Sequence, residues 1–403
     1  MSRRGADPAV SRREAQEALG AGFFRSRWVE PPDGVEELEP ARLAPGFRAA
    51  GAACGLKGGG RTDVGLVACD ADEVNSALLL TRNAAAAAPV RVCRDECDAG
   101  SIRAAVVNSG NANAATGARG YRDAVAMRDG AAEALGIEPR AVAVAETGTI
   151  GVPLPLGDVL RGVADAHAAL SPAGGADFAR SIMTTDRGPK LCTLELDGVT
   201  VSAQAKGAGM TEPGFATMLC FVQTDAVVTD PEATLRAAVA PSFERITVDG
   251  QMSTNDTVLL QANGGSGREL RPELLDAVLL QLALEIVADG EGAKRVGRAE
   301  VTEAATPEEA ERVARAIANS PLVQTALAGG DPNWGRIAQA AGMALAGERL
   351  PELGAEHIDA AGLGSDEPEA ELSLRLGRGE SSAHVYFSDL TCEYVRLNAE
   401  YTT

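Results

Sequence analysis

AKGAGMTEPGFATMLCFV, residues 205–222, is the stretch on which the reading of the whole chain turns. Gly207, Gly209, Pro213 and Gly214 fall within it, which argues against a regular helix and for a backbone held in unusual dihedrals. A single lysine, Lys206, opens it. The small pair Ala216-Thr217 stands directly before residues 218–222, an apolar run bounded by Gln223, Thr224 and Asp225. That run reads as a buried strand or as the start of a buried helix, and periodicity does not separate the two. A threonine where a tight loop meets a buried segment is placed as a rigidly held nucleophile would be. The same residues also suit a glycine-rich connector with a β-branched strand starter, the commoner outcome for any short motif.

Working outward, 403 residues can bury a large core. With 45% hydrophobic and 23% charged residues, the composition is that of a water-exposed globular protein. Aromatic residues make up only 3%, so the core is built by close backbone approach and small side chains rather than by ring stacking. A formal charge of −20 sets nucleic acid and anionic membrane surfaces aside as partners. No apolar run approaches a membrane span, and the basic start Met1-Ser2-Arg3-Arg4 is followed by no apolar core of a secretory signal. The reading is therefore cytoplasmic. Seven scattered cysteines, with Cys93 and Cys97 as the sole close pair, give neither a zinc pattern nor a disulfide framework. The histidines, His167, His357 and His384, lie outside every glycine-rich loop, which argues against a Ser-His-Asp or Cys-His mechanism.

Residues 1–40 are charged and proline-containing and read as a poorly ordered arm, with one helix over residues 12–19. Beyond them, residues 64–69, 76–81, 90–93 and 104–108 read as strands. The last runs into an amide-rich loop, residues 109–117, and then a helix over residues 121–135. That arrangement exposes backbone N–H groups at a helix start, although an ordinary strand-to-helix turn has the same appearance. A second loop of the same kind covers residues 146–151. Residues 194–201 form a hairpin through Asp197-Gly198, and residues 274–288 a long apolar helix that ends at Asp289-Gly290-Glu291-Gly292. Glu291 between glycines is either a solvated residue after a helix cap or an acid held close to a ligand. Residues 383–387 and 394–397 read as strands. The alternation throughout indicates an α/β layered fold. Neither dinucleotide-binding nor P-loop glycine patterns occur.

Eight stretches, in this order, resemble the glutamate N-acetyltransferase (ornithine acetyltransferase) family of arginine biosynthesis. They are NSGNANAATG (108–117), MTTD (183–186), AKGAGM with ATML (205–219), ITVDG with STNDT (246–257), DGEGA (289–293), SPLVQTA (320–326), DPNWGRI (331–337) and SDLTCEYVRLNAEYTT (388–403). The resemblance implies a layered α/β sandwich that cleaves itself between Ala216 and Thr217. It implies a chain of residues 41–216 and a second of residues 217–403, with Thr217 as an N-terminal nucleophile. A threonine hydroxyl is a poor nucleophile alone, and the new α-amino group, with an ordinary pKa of about 7.7–8.0, would serve as its base. The implied reaction is ping-pong: the acetyl group moves from N-acetylornithine to Thr217 and then to glutamate. Thr116 and Gly117 are the implied oxyanion donors. Thr184, Lys206, Thr217, Glu291, Asn398 and Thr403 are the implied substrate contacts. No metal or cofactor is implied, and acetyl-CoA enters only as an acyl donor. Two copies of each cleaved chain are expected to assemble as a heterotetramer.

The sequence departs from that pattern in places. Glu146 stands where serine is common, Arg187-Gly188 follows MTTD, and Lys294-Arg295 follows DGEGA. The last two changes bear on the acceptor pocket and leave open a relative that moves an acyl group between other amino acids. An uncleaved binding subunit is the third reading, and the joint presence of Thr217, Lys206 and Thr116 argues against it.

Overall fold

A computed structural model describes residues 22–212, 218–348 and 352–400. Ala216, Thr217, Thr403 and the helix expected over residues 12–19 lie outside the described residues. In chain order the first part comprises β1 (Glu36–Glu37), β2 (Phe47–Ala52), β3 (Val64–Cys69), β4 (Asn75–Leu80), α1 (Ala88–Glu96), β5 (Ala104–Asn111) and α2 (Gly117–Leu135). There follow β6 (Val142–Thr149), α3 (Leu156–Ala168), α4 (Gly175–Ile182), β7 (Lys190–Leu196), β8 (Val199–Lys206), β9 (Leu219–Thr224), α5 (Pro231–Val239), β10 (Ile246–Thr247) and β11 (Thr257–Ala262). The remainder is α6 (Pro272–Ala288), β12 (Val296–Ala304), α7 (Pro307–Ala318), α8 (Pro321–Gly329), α9 (Trp334–Ala344), β13 (Ile358–Asp359), β14 (Glu369–Arg375), β15 (Ser381–Ser388) and α10 (Cys392–Glu400).

Among the described residues three sheets result: β1-β7-β8-β9-β11-β4, β10-β15-β12-β14-β13 and β2-β3-β5-β6. The six-stranded sheet is central. Its strands β8, β9 and β11 are buried at every position; β9 and β11 read in sequence as mainly apolar runs, whereas β8 alternates apolar with polar residues although both of its faces are covered. Period two still sorts them. Cys220 and Val222 join the core beneath α6, whereas Leu219 and Phe221 join the core that includes α4 and the four-stranded sheet. Helix α6 is apolar around most of its circumference because its residues meet both the six-stranded sheet and Val296 and Tyr386 of the five-stranded one.

The layer between the six- and four-stranded sheets is thin. Helix α4 approaches β2 and β3 so closely that a Cβ at Gly51 would lie 2.3 Å from the carbonyl oxygen of Asp177, and one at Gly65 2.3 Å from Ser181 Oγ. Glycine at these two positions is what lets α4 sit there. The β7–β8 hairpin turns through Asp197 (φ 53°) and Gly198 (φ 76°), the left-handed pair of a type I′ turn, as the Asp-Gly signal indicates.

Several expectations need correction. Residues 90–93 belong to helix α1, which starts at Ala88-Pro89 and buries Val90, Val92 and Cys93; so short an apolar run carried no period to distinguish helix from strand. Residues 394–397 belong to helix α10, where Arg396 pairs with Glu393 one turn back. The loop expected at 146–151 is strand β6 as far as Thr149. Residues 22–40 are not a poorly ordered arm: Phe23 and Val29 are buried in the core under α6, and Arg25 and Ser26 donate their N–H groups to Gln281 Oε1. β1 also pairs with β7, through Glu36–Glu195 and Glu37–Leu194. A few apolar anchors outweigh the charged composition of this segment.

Phe221 packs edge-on against Phe178 with ring centroids 5.2 Å apart, joining the six-stranded sheet to α4. Phe221→Ala is expected to cost about 3–5 kcal/mol, read as a lower urea midpoint with an unchanged slope.

Candidate functional site

Lys206 is the last residue of β8, and alternation sets its role. Val199, Val201, Ala203 and Ala205 face α6, while Thr200, Ser202, Gln204 and Lys206 point to the opposite side. The lysine is therefore buried in the thin layer, 1% exposed. Its Nζ donates to Thr184 Oγ1 at 2.9 Å and to Thr147 Oγ1 at 3.2 Å. Neither partner is charged, and Lys206 makes no ion pair among the described residues. Burial pushes its pKa down, while the more distant carboxylates of Asp186, Asp256 and Glu291 work in the other direction. A protonated amine in this setting has a third N–H donor to spare, and such a donor can pair with a carboxylate.

The glycine-rich loop after Lys206 is held at each end. Asp186 Oδ1 accepts the N–H of Gly207 at 2.7 Å, and its Oδ2 accepts that of Thr184 at 3.0 Å. Ala208 O accepts the N–H of Glu291 at 2.7 Å. Asp249 takes the N–H groups of Met210 and Thr211 at 2.6 and 2.9 Å. Gly209 gives room for the Glu291 carboxyl, whose carbon would lie 2.8 Å from a Cβ at that position. On the far side of the loop, Met218 N–H donates to Asp256 Oδ1 at 3.1 Å. Asp256 is fully buried, its other oxygen has no partner among the described residues, and burial raises its pKa well above the carboxylate range.

Asp186 itself is fixed by Lys190, whose Nζ lies 2.7 Å from it and 2.6 Å from Asp289. Burial alone would raise the pKa of Asp186. The ammonium groups of Lys190 and Lys206 outweigh that and hold it well below the usual carboxylate range. Arg187 completes the cluster with Nε 2.6 Å from Asp289 Oδ1 and its N–H on Oδ2. Arg295 points elsewhere, to the carbonyl oxygens of Leu327, Leu363, Gly362 and Glu367. These two departures are thus tied into the protein's frame. Lys57 adds a further brace: its Nζ donates to Met183 O at 2.7 Å beyond the end of α4, and burial brings its pKa down to about 8.

Two more predicted residues meet at the rim, where Asn398 Nδ2 on α10 donates to Glu291 Oε2 at 2.7 Å. This contact requires helix, since Asn398 also donates to Tyr394 O one turn back. Gly292 (φ 71°) lets α10 approach, a Cβ there falling 2.5 Å from Tyr394 N.

Thr116 and Gly117 lie at the start of α2, where the first N–H groups have no acceptor within the helix. Asn113 (φ 47°) and Ala115 (φ 56°) turn the loop through left-handed conformations. Thr116 Oγ1 donates to Asn113 Oδ1 at 2.6 Å. A cleft of about 710 Å³ opens on this loop, lined by Ala84–Ala86, Ala88, Arg91, Ile150 and Thr254 as well as by Thr116 and Gly117. Asn255 ties the loop to the Met218 side by donating to the carbonyls of Ala112 and Glu146, at 2.7 and 2.8 Å.

Thr184 thus meets Lys206, and Glu291 meets Asn398 beside Gly209 of the loop after Lys206, while Thr116 and Gly117 line the cleft on their own loop; Thr217 and Thr403 lie outside the described residues. Sequence reasoning missed Thr147, Lys57, Lys190, Asp249 and Asp256 as parts of the site. Asp249 and Asp256 lay in quoted motifs, but nothing local told that their carboxylates would hold backbone N–H groups some 38 residues away.

Asp186→Asn is expected to destabilise the protein by about 3 kcal/mol at pH 7. Because the folded-state pKa is depressed, the contribution is complete above the ordinary carboxylate pKa of about 4 and is lost only as pH falls through the lower folded value. Urea titrations at pH 7 and in acid should show the gap to wild type narrowing only below about pH 4.

A family model described as the ArgJ family matches residues 48–403. A protein of Symbiobacterium thermophilum named arginine biosynthesis bifunctional protein ArgJ is 45% identical, over 92% of this chain and 100% of its own length. Its namesake from Thermus thermophilus is 42% identical, over 90% and 99%. Among solved structures, a chain of ornithine acetyltransferase from Mycobacterium tuberculosis, complexed with ornithine, is 39% identical. It covers 44% of this chain and 98% of its own, with a TM-score of 0.42.

Proposed function

The chain belongs to the ArgJ family, and we propose that it is an ornithine acetyltransferase of arginine biosynthesis, moving an acetyl group from N-acetylornithine to glutamate. The observation that carries this reading is Lys206: a buried ammonium bonded only to hydroxyls, beside a loop that leads directly to Thr217. Donor and acceptor share an α-carboxylate, and one cationic receptor serves both. Glu291 with Asn398 would meet the far end of the substrate, and Thr403 is a further contact that the family resemblance implies.

In the proposed mechanism the chain is cut between Ala216 and Thr217, giving two chains retained in one body and paired as a heterotetramer. The freed α-amino group takes the proton of the Thr217 hydroxyl while its oxygen attacks the acetyl carbonyl carbon. Negative charge gathers on the carbonyl oxygen, against N–H donors of the Thr116-Gly117 loop. The carbon–nitrogen bond then breaks, the leaving amine takes the proton, and ornithine departs with the acetyl group left as an ester on Thr217. The amine of glutamate attacks that ester in the reverse sense. No metal or cofactor takes part, and acetyl-CoA would act only as another donor to the same threonine. The reaction is assigned to the cytoplasm; among the described residues no helix is long and apolar enough to cross a membrane.

Intact mass and a denaturing gel test the first step. Wild type should give two fragments, the second beginning at Thr217, and Thr217→Ala one full-length chain; an uncut wild type would overturn the mechanism. Lys206→Met, in a cleaved preparation, should raise KM for both amino-acid substrates by about 100-fold, roughly 3 kcal/mol for losing one partner of a buried charge pair.

A further inference from the structure

Nothing in the mechanism above uses Glu146. Its side chain is fully buried within β6. Oε1 accepts from Asn113 Nδ2 at 2.8 Å, and Oε2 has no partner among the described residues. No cation pairs with it there, and the charge that bears on it is another carboxylate, Asp123 on α2, 3.6 Å from Arg119. A carboxyl so placed is neutral at pH 7, in keeping with a pKa that burial pushes up to about 8.

Its partner has little freedom. Asn113 Nδ2 donates both to Glu146 Oε1 and to Gly120 O, each at 2.8 Å, so both amide protons are committed to acceptors. The amide oxygen must then face Thr116, whose hydroxyl donates to it. Asn113 N–H is in turn held by Asn111 Oδ1 at 2.8 Å. Removing Glu146 would leave one of the two acceptors that restrain the amide protons, and the loop that carries Thr116 and Gly117 would lose one of its buried ties.

We propose that Glu146 is a positioning residue of the acyl-transfer site, acting through Asn113, which accepts a hydrogen bond from the Thr116 hydroxyl, to fix the setting of the N–H donors of the Thr116-Gly117 loop. The inference rests on the reading of that loop as the oxyanion site. Glu146 acts as a neutral hydrogen-bond acceptor, not as a charge, so its amide analogue can replace it.

The test is steady-state kinetics of the cleaved enzyme with N-acetylornithine and glutamate, with melting temperature recorded for each variant. Glu146→Ala should lower kcat about tenfold with KM changed less than twofold, and Glu146→Gln should retain kcat within about twofold. Asn113→Gly, which keeps the left-handed backbone free of strain, should lower kcat to a similar degree, and the double variant should fall no further than either single one. If Glu146→Ala does not fold or cleave, Glu146→Gln and Asn113→Gly still decide, since a required charge would show as loss of kcat in the Gln variant. Unchanged kcat in Glu146→Ala or Asn113→Gly, additive losses, or failure of Glu146→Gln would each overturn the inference. The premise is tested apart from the proposal by wild type with N-thioacetylornithine, whose sulfur accepts N–H bonds poorly: turnover equal to that with N-acetylornithine overturns the oxyanion reading, whereas a large loss there with kcat unchanged in Glu146→Ala overturns only the role of Glu146.

Discussion

The side chain of Asp186 is wholly shielded from water, and its neighbours hold it ionised there. Its two oxygens take backbone N–H groups from Gly207 and Thr184 and an ammonium proton from Lys190. A carboxylate so deeply desolvated is stable only when every lone pair is used and a cation is near. In return it aligns the end of β8, the turn after α4 and the start of β7 with one another. Without it, the turn that carries Thr184 would have no reason to lie against Lys206.

From that centre the order spreads through a chain of charges. Lys190 carries it to Asp289 and thereby to the end of α6, and Arg187 closes the circuit from the turn after α4. The loop that presents Glu291 is thus oriented by residues about a hundred positions earlier in the sequence. The cations alternate with the anions, so each buried charge has opposite neighbours. Lys206 lies just outside this circuit, within reach of its field but bonded only to neutral oxygens. That difference separates a lysine that holds structure, Lys190, from one suited to meet a ligand.

Much of this was legible beforehand. The Asp197-Gly198 turn, the long apolar helix α6 and the strand before the Asn113 loop announced themselves through local chemistry, because one or two residues or a single period settled each. The family motifs carried Thr184, Lys206, Glu291 and Asn398. What escaped was decided by partners distant in sequence. The helical state of residues 392–400 depends on Glu291 and Gly292 as much as on its own residues, and its tyrosine and valine favoured strand locally. Residues 22–40 look solvated by composition, yet Phe23 and Val29 find a core supplied by α6. Arg187 and Arg295 looked like changes to a pocket and are braces, a distinction that only the identity of their acceptors makes.

Strands β8 and β9 are adjacent at the centre of the main sheet, paired residue for residue from Val201–Thr224 to Lys206–Leu219. A backbone cut before Thr217 would assign these neighbours to different molecules. The two products would share a single hydrophobic interior instead of meeting across a surface, so they could not part without both unfolding. Their recovery after unfolding would also change in kind. An intact precursor folds at a rate independent of how many copies surround it, whereas two severed pieces must first collide, and their reassembly obeys mass action. Maturation would therefore make folding a step taken once, at synthesis, and leave the mature protein dependent on never losing its fold.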